Sequence, residues 1–129
     1  IANGGNIVKP TLVKEVISPE GKVIKSIEPQ ILSQGVDGFT ANKVKNMMVE
    51  VVKRGTGTRA QIKNMRVAGK TGTAENSTGK THSWFIGFAP ADDAKVAVVV
   101  LLESDGSTGG KNAAPIAQKL MVETMNTIN

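Results

Sequence analysis

The 129-residue sequence contains no cysteine, no tyrosine and a single histidine, and only 3% of its residues are aromatic. The absence of cysteine excludes a disulfide scaffold, a cysteine zinc site and a thiol nucleophile. One histidine, His82, cannot build a metal site that needs several imidazole ligands from this chain. The sequence therefore predicts neither a metal site nor a bound cofactor.

Long apolar runs are also missing from the sequence. The longest, residues 96–102, is far too short to cross a bilayer, and no charged segment followed by an apolar one predicts a signal peptide. The sequence does not begin with Met, and residues 1–5 read as the last turn of a helix with a glycine cap. We therefore expect residues 1–129 to be a piece of a longer protein, and their number fits one compact domain or a large piece of a bigger one.

The positive charge of the chain is scattered rather than clustered. Sixteen basic and eleven acidic residues give a formal net charge of +5. With so few aromatic rings there is no platform for stacking bases, so no nucleic-acid partner is predicted. A basic surface fits an anionic cell envelope and an anionic substrate equally well. Apolar residues make up 40% of the chain, which is enough for a core of aliphatic side chains.

Hydrophobic periodicity predicts a hairpin and a helix in the first half. Residues 11–17 and 22–27 are rich in β-branched side chains and flank a Ser-Pro-Glu-Gly turn. Residues 29–38 look irregular. Thr40 is predicted to cap a helix that ends at Gly55. The apolar positions of this helix follow helical spacing: Val44, Met47, Met48, Val51 and Val52.

The second half predicts a three-stranded antiparallel meander and a closing helix. Strands are expected at 67–75, 82–89 and 95–103, and the unbroken apolar run of the third predicts burial on both of its faces. The helix, Pro115 to Ile128, would pack across one face of the sheet. Its predicted apolar face comprises Ile116, Leu120, Met121, Met125 and Ile128. The predicted fold class is α+β, an antiparallel sheet packed with helices and extended by strands from the N-terminal hairpin region.

The most informative segment is Lys70-Thr71-Gly72-Thr73, inside the first strand of the meander. Glycine weakens a strand and marks a bulge or the close approach of a ligand or another backbone. Lys70 alone would be read as an edge-strand charge that discourages aggregation. A lysine, two hydroxyls and a glycine in succession rarely arise by chance, so the segment indicates a functional site.

This segment, continued by Ala74-Glu75, resembles the third active-site motif of penicillin-binding protein transpeptidases and serine β-lactamases. The flanking sequences are similar to those of class B penicillin-binding proteins in particular. They comprise Ala2–Gly5, Val8–Pro10, Gly55–Thr58, Val67–Gly69, Trp84–Pro90 and Gly110–Pro115. The resemblance covers essentially the whole chain and implies a penicillin-binding/β-lactamase-like transpeptidase fold.

The resemblance also implies a reaction and its partners. In this family a serine attacks the penultimate D-Ala carbonyl of a peptidoglycan stem peptide and releases D-Ala. An amine of a second stem peptide then resolves the acyl-enzyme, and β-lactams mimic the D-Ala-D-Ala end. Such enzymes work at the extracytoplasmic face of the bacterial cell membrane.

Four residues receive roles from the resemblance. Lys70 would orient the proton network of the nucleophile and attract the substrate carboxylate. The hydroxyls of Thr71 and Thr73 would bond that carboxylate, and the backbone N–H of Thr73 would be one oxyanion-hole donor. Gly72 would leave room for the substrate to lie along the strand edge.

The sequence departs from the family pattern in one respect. It contains no Ser-x-Asn motif, and its single Ser-x-x-Lys match, Ser77 to Lys80, lies in a glycine-containing loop directly after the third motif. We interpret that match as accidental. The chain is therefore predicted to be the C-terminal part of a transpeptidase domain, with the N-terminal half of the same domain as its partner. The isolated chain should not be acylated by penicillin, and its uncovered sheet predicts self-association into a homo-oligomer.

Two other classes of function stay open on these residues. A serine β-lactamase or a β-lactam-sensing receptor would carry the same third motif, and a non-catalytic interaction module would bind without turnover. Trp84 is predicted to pack between sheet and helix, and His82 to lie at a strand start. Asp92, Asp93 and Asp105 are predicted to occupy turns.

Overall fold

The computed structural model describes residues 1–128 and confirms the α+β class, with three antiparallel sheets and two long helices. The strands are β1 (Asn6–Val8), β2 (Glu15–Ile17), β3 (Val23–Ser26), β4 (Ile31–Gln34), β5 (Ala68–Glu75), β6 (Thr81–Ala89) and β7 (Val96–Leu102). The helices are α1 (Gly38–Arg54) and α2 (Ala114–Ile128); a short 3-10 helix (Thr58–Ala60) follows α1, and a π-helical turn (Gly109–Ala113) precedes α2. Within residues 1–128 no helix is both long and apolar enough to span a membrane.

The N-terminal strands form two small sheets of their own. Strands β2 and β3 make the predicted hairpin, whereas β1 pairs with β4 inside the segment 29–38 that was predicted to be irregular. Neither pair joins the main sheet, so the expected extension of that sheet is wrong. These strands are only three or four residues long and mostly exposed, and each pairs along one edge with a single partner strand. Residues 1–5 form a turn in which the Gly4 N–H donates to the carbonyl of Ile1.

Helix α1 begins earlier than its apolar pattern predicts. Asp37, not Thr40, is the N-cap: its Oδ1 accepts a hydrogen bond of 2.8 Å from the backbone N–H of Thr40. The Thr40 N–H and hydroxyl hold the pKa of Asp37 below its usual range. The predicted end at Gly55 is confirmed, where the glycine N–H donates to the carbonyl of Val51. The cap was misassigned because Asp and Thr are both good capping residues and stand three positions apart.

The main sheet is the predicted meander, in the order β5-β6-β7, and each strand begins and ends within one residue of its expected limits. Helix α2 packs on one face, where Phe85 and Met121 are fully buried. Helix α1 packs on the other face over β5, where Val49, Ala68 and Phe88 form a second cluster. Strand β5 therefore contacts α1 and the π-helical turn, whereas α2 packs on β6 and β7.

Strand β7 is buried on one face only, which corrects the expectation from its apolar run. Val96 and Val100 face α2 and are buried, whereas Val99 is 66% exposed. Val99 lies opposite Ile86, on the face that α1 occupies. Helix α1 covers β5 at the far side of the sheet, so this part of the face has no helix over it among residues 1–128.

The contact face of α2 also differs from the predicted one. Of the five expected apolar residues only Met121 is fully buried, and Ile116, Leu120 and Ile128 are 39%, 47% and 53% exposed. The buried residues include Ala114 and Ala117, both at 0% exposure. Small side chains let the helix axis approach the sheet closely, and this rotates the larger aliphatic residues outward.

Candidate active site

The Lys70–Thr73 segment occupies the middle of β5, an edge strand of the main sheet among the residues described. Lys70 lies opposite Ile86, and Thr71 lies opposite the buried Phe85. Because side chains alternate along a strand, Lys70 and Gly72 face the α1 side while Thr71 and Thr73 face the α2 side. The four predicted site residues are thus brought to one strand edge but are divided between its two faces.

The Lys70 amine lies beside an apolar groove. The groove has a volume of about 710 Å³ and runs between α1 and the uncovered part of the sheet. Its lining includes Met47, Ile86 and Val99, all exposed to solvent. The Lys70 Nζ donates to the carbonyl oxygen of Thr71 and makes no ion pair within residues 1–128. Its charge is therefore available to a ligand at this edge.

On the other face, the threonines open into a polar cavity that we call the threonine recess. Its volume is about 530 Å³. It is lined by Gly55, Thr56, Thr58, Arg59, Thr71, Thr73, Thr108, Gly110 and Lys111. Thr71 is 9% exposed, and its Oγ1 lies 2.6 Å from the Oγ1 of Thr56. Two hydroxyls that share one hydrogen bond leave one O–H free to donate, so this pair can serve a carboxylate oxygen.

Two glycines let the start of the last helix touch the motif strand. A Cβ built on Gly109 would lie 2.0 Å from the carbonyl oxygen of Trp84 and 2.6 Å from that of Gly72. A Cβ on Gly110 would lie 2.2 Å from the carbonyl oxygen of Thr56. Such distances are well inside van der Waals contact, so only glycine fits without moving the backbone. This close approach forms one wall of the recess.

A hydrogen-bonded carboxylate fixes the loop between β7 and the last helix. Asp105 accepts from the Oγ of the fully buried Ser83 at 2.7 Å and from the Nδ2 of Asn112 at 2.9 Å. These bonds, with a further one from the Ser107 N–H, hold the pKa of Asp105 below its usual range. Asp105 lies in the loop that follows the turn at 103–104, and it ties Ser83, the cross-strand neighbour of Thr73, to the π-helical turn.

The remaining candidates lie outside the recess. Ser77 is exposed at the tip of the β5–β6 hairpin, where Asn76 Oδ1 organises the turn by accepting from the Thr78 N–H. At a rise of about 3.3 Å per residue, even the strand end at Glu75 is about 16 Å from Lys70. Ser77 therefore has neither a helix N-terminus nor the motif lysine beside it, in agreement with the interpretation of its match as accidental.

His82 and Trp84 are both half-buried residues of β6. The Nδ1 of His82 accepts a hydrogen bond of 3.1 Å from the Ser104 N–H, near the beginning of the strand as expected. Trp84 lies opposite Gly72 on the face away from α2, and a Cβ on Gly72 would lie 3.2 Å from the Trp84 Cβ. Its neighbour is thus the motif strand. Residues 1–128 contain no cluster of three or more His, Asp or Glu side chains able to hold a metal ion.

Sequence reasoning missed most of the recess. Thr56, Thr58 and Arg59 come from the turn after α1, and Thr108 and Lys111 come from the segment before α2. Each lies more than ten positions from the motif, so no local pattern connects them. The usable signal was the pair of adjacent glycines before the final helix, which marks a close backbone approach.

Comparison with known proteins identifies the family to which this α+β fold belongs. A family model described as the penicillin binding protein transpeptidase domain matches residues 1–122. The chain belongs to this family. The resemblance inferred from the sequence is confirmed.

Among curated proteins, the chain is 37% identical over 126 residues to the peptidoglycan D,D-transpeptidase PbpA of Mycolicibacterium smegmatis, covering 92% of this chain and 26% of the relative. It is also 37% identical over 133 residues to stage V sporulation protein D of Bacillus subtilis, covering 95% of this chain and 21% of the relative. The chain therefore spans about a quarter of the length of these relatives.

Solved structures give the same result. The D,D-transpeptidase domain of a peptidoglycan glycosyltransferase from Eggerthella lenta superposes with a TM-score of 0.85 at 39% identity, covering 98% of this chain and 30% of the other. The penicillin G acyl-enzyme complex of penicillin-binding protein A from M. tuberculosis gives 0.81 at 35% identity, covering 97% and 29%. The predicted α+β fold class is confirmed.

Proposed function

We propose that this chain supplies the substrate-binding strand of a peptidoglycan D,D-transpeptidase whose nucleophilic serine lies elsewhere in a longer polypeptide. The observation that carries the proposal is the position of Lys70–Thr73 on the free edge of a strand that contacts α1 and the π-helical turn. An extended peptide ending in D-Ala-D-Ala, or a β-lactam that mimics it, would lie along this edge as an added strand. The names of the curated relatives support the reaction class.

The proposed chemistry is acyl transfer in two steps. The serine oxygen attacks the penultimate D-Ala carbonyl, the peptide C–N bond breaks, and the terminal D-Ala leaves as an amine that takes up a proton. The amine of a second stem peptide then displaces the serine, and a new amide bond forms. This chain would contribute positioning and charge stabilisation to both steps.

Each motif residue has a part in the proposal. Lys70 would place its ammonium group next to the serine and the substrate carboxylate, while Thr71 and Thr73 would donate their hydroxyls to that carboxylate from the threonine recess. The Thr73 N–H would be one oxyanion donor. Gly72 has no side chain, so a ligand can approach the backbone between the two threonines.

The apolar groove supports a proposal about the docking of the rest of the domain. Ile86, Val99 and Met47 are exposed along one continuous surface beside Lys70. The curated relatives are about four times as long as the matched part. We propose that a helical segment of the longer polypeptide, the one that bears the nucleophile, covers this groove and brings its serine to the Lys70 amine. The whole protein would then act at the extracytoplasmic face of the cell membrane, where stem peptides are crosslinked.

Acylation by a fluorescent penicillin tests the proposal. The full-length protein should be labelled, Lys70→Ala should abolish labelling, and Lys80→Ala, an exposed lysine of the hairpin tip, should leave it unchanged. Ser77→Ala should also be labelled normally. Full labelling of Lys70→Ala would contradict the role of the motif.

The chain alone gives a second, independent test. Residues 1–129 incubated with penicillin should gain no mass, because Ser77 lies at the hairpin tip about 16 Å or more from Lys70. Mass spectrometry decides the matter, and a covalent adduct on Ser77 would overturn the assignment of the nucleophile to another segment.

A further inference from the structure

The threonine recess carries more positive charge than a single carboxylate requires. Arg59 and Lys111 line it together with the threonine hydroxyls, and no Asp or Glu is among its lining residues. The four ion pairs within residues 1–128 involve neither of these two side chains. Two cations beside a cluster of hydroxyl donors, without a protein counter-charge, form a surface that favours an anionic ligand.

The two segments that carry these cations are tied together by a hydrogen bond from the Arg59 side chain to the Lys111 backbone. The Nη1 of Arg59 donates a 3.0 Å hydrogen bond to the backbone carbonyl oxygen of Lys111. Arg59 sits on the 3-10 helix next to the fully buried Ala60, and the Lys111 N–H donates to the carbonyl of Thr108 at 3.0 Å. A guanidinium has five N–H donors, so four remain available on Arg59 for a ligand.

The size of the recess exceeds what one carboxylate fills. Its volume is about 530 Å³. One water molecule occupies about 30 Å³ in the liquid, and a carboxylate group is only a few times larger than a water molecule. The Thr71 and Thr73 hydroxyls lie on the motif strand itself, while Arg59 and Lys111 come from the two segments that face it. A substrate with a second acidic group can therefore engage both regions at once.

We propose that Arg59 and Lys111 form a subsite for a second carboxylate of the peptide substrate, distinct from the terminal carboxylate assigned to Thr71 and Thr73. This inference rests on the proposed transpeptidase function and adds a specificity to it. The enzyme would prefer a stem peptide that carries a free acidic group upstream of D-Ala-D-Ala over one in which that group is amidated.

The test compares two synthetic peptides that end in D-Ala-D-Ala and differ only in an upstream carboxylate or carboxamide. Calorimetric titration gives the affinity of each for the full-length protein and for Arg59→Gln, Lys111→Gln and the double variant. Lys119→Gln is the matched control, since Lys119 is exposed on α2 outside the recess. Because one exposed ion pair contributes about 1.4- to fivefold in affinity, two such pairs should make the diacid bind roughly two- to thirtyfold more tightly than its amide.

The expected result is that the double variant loses this preference, each single variant loses part of it, and Lys119→Gln keeps it. Arg59→Lys retains the positive charge and should therefore keep more of the preference for the diacid than Arg59→Gln does. The second subsite is overturned if the wild-type protein binds the diacid and the carboxamide peptide with equal affinity. It is also overturned if the double variant loses the same affinity for both peptides. Penicillin acylation of the wild-type protein is measured alongside. Absence of acylation refutes the proposed function. Normal acylation together with equal affinities for the diacid and carboxamide peptides refutes this inference alone.

Discussion

Replacing Gly109 by alanine perturbs the contact on which the recess depends. The added Cβ would lie 2.0 Å from the Trp84 carbonyl oxygen and 2.6 Å from the Gly72 carbonyl oxygen. Both neighbours are backbone atoms of paired strands, so neither can rotate away as a side chain would. To reach a separation of about 3 Å or more, the π-helical turn and the motif strand must separate by about 1 Å.

The cost of this separation follows from the packing. Overfilling a well-packed site destabilises by about 1–3 kcal/mol. A displacement of about 1 Å at a substrate-positioning strand lowers the reaction rate by about 100-fold. We therefore expect Gly109→Ala in the full-length protein to melt at a lower temperature and to be acylated by fluorescent penicillin about 100-fold more slowly.

Gly38→Ala provides the matched control for this substitution. Gly38 lies in the first turn of α1, and a Cβ added there would meet the Gly4 carbonyl oxygen at 4.0 Å, an ordinary contact distance. Alanine there should be neutral or stabilising by up to about 1 kcal/mol, because it is a better helix former. If Gly109→Ala melted and reacted like Gly38→Ala, the close approach of the turn to the motif strand would not support the site.

Three further outcomes are expected. Phe85→Ala should destabilise by about 3–5 kcal/mol in a denaturant titration, since its fully buried ring fills the space between the sheet and α2. Asp105, whose pKa is lowered chiefly by Ser83, stabilises the fold fully above the unfolded-state pKa of about 3.9, and this contribution is lost as pH falls through the lower folded-state pKa. Asp105→Asn should therefore lose less stability than wild type on acidification, and equal losses would contradict this coupling. The isolated chain should sediment as an oligomer at micromolar concentration, Val99→Lys should reduce that association, and a strictly monomeric wild type would refute it.

Strand limits in the main sheet were predictable because local signals marked both ends of each strand. Turn-forming residues interrupt the sequence after Glu75, Ala89 and Leu102, and apolar side chains fill the strands between them. Whether one or both faces of strand β7 are buried was not predictable from local signals. The run 96–102 is equally apolar on both sides, and only the position of α1 over β5 leaves Val99 exposed.

The motif was predictable from the sequence and its surroundings were not. Lys70–Thr73 is contiguous, whereas the recess is assembled from segments near 56–59, 71–73 and 108–111. Their meeting depends on where the last helix docks, which is set by Ala114, Ala117 and the two glycines before it. The small strands β1 and β4 were missed for a related reason: their pairing depends on a distant partner rather than on a strong local pattern.

The position of the motif on an edge strand explains its order of residues. In a central strand, alternate side chains face different layers and cannot reach a common ligand. At a free edge, the peptide that we propose as ligand would lie beside the strand, and Lys70 would reach it from one face and Thr71 and Thr73 from the other. Gly72 between the threonines keeps this approach open. An ammonium group and two hydroxyls can then converge on one carboxylate although they project from opposite faces, which requires that the edge of β5 remain unpaired until the ligand arrives.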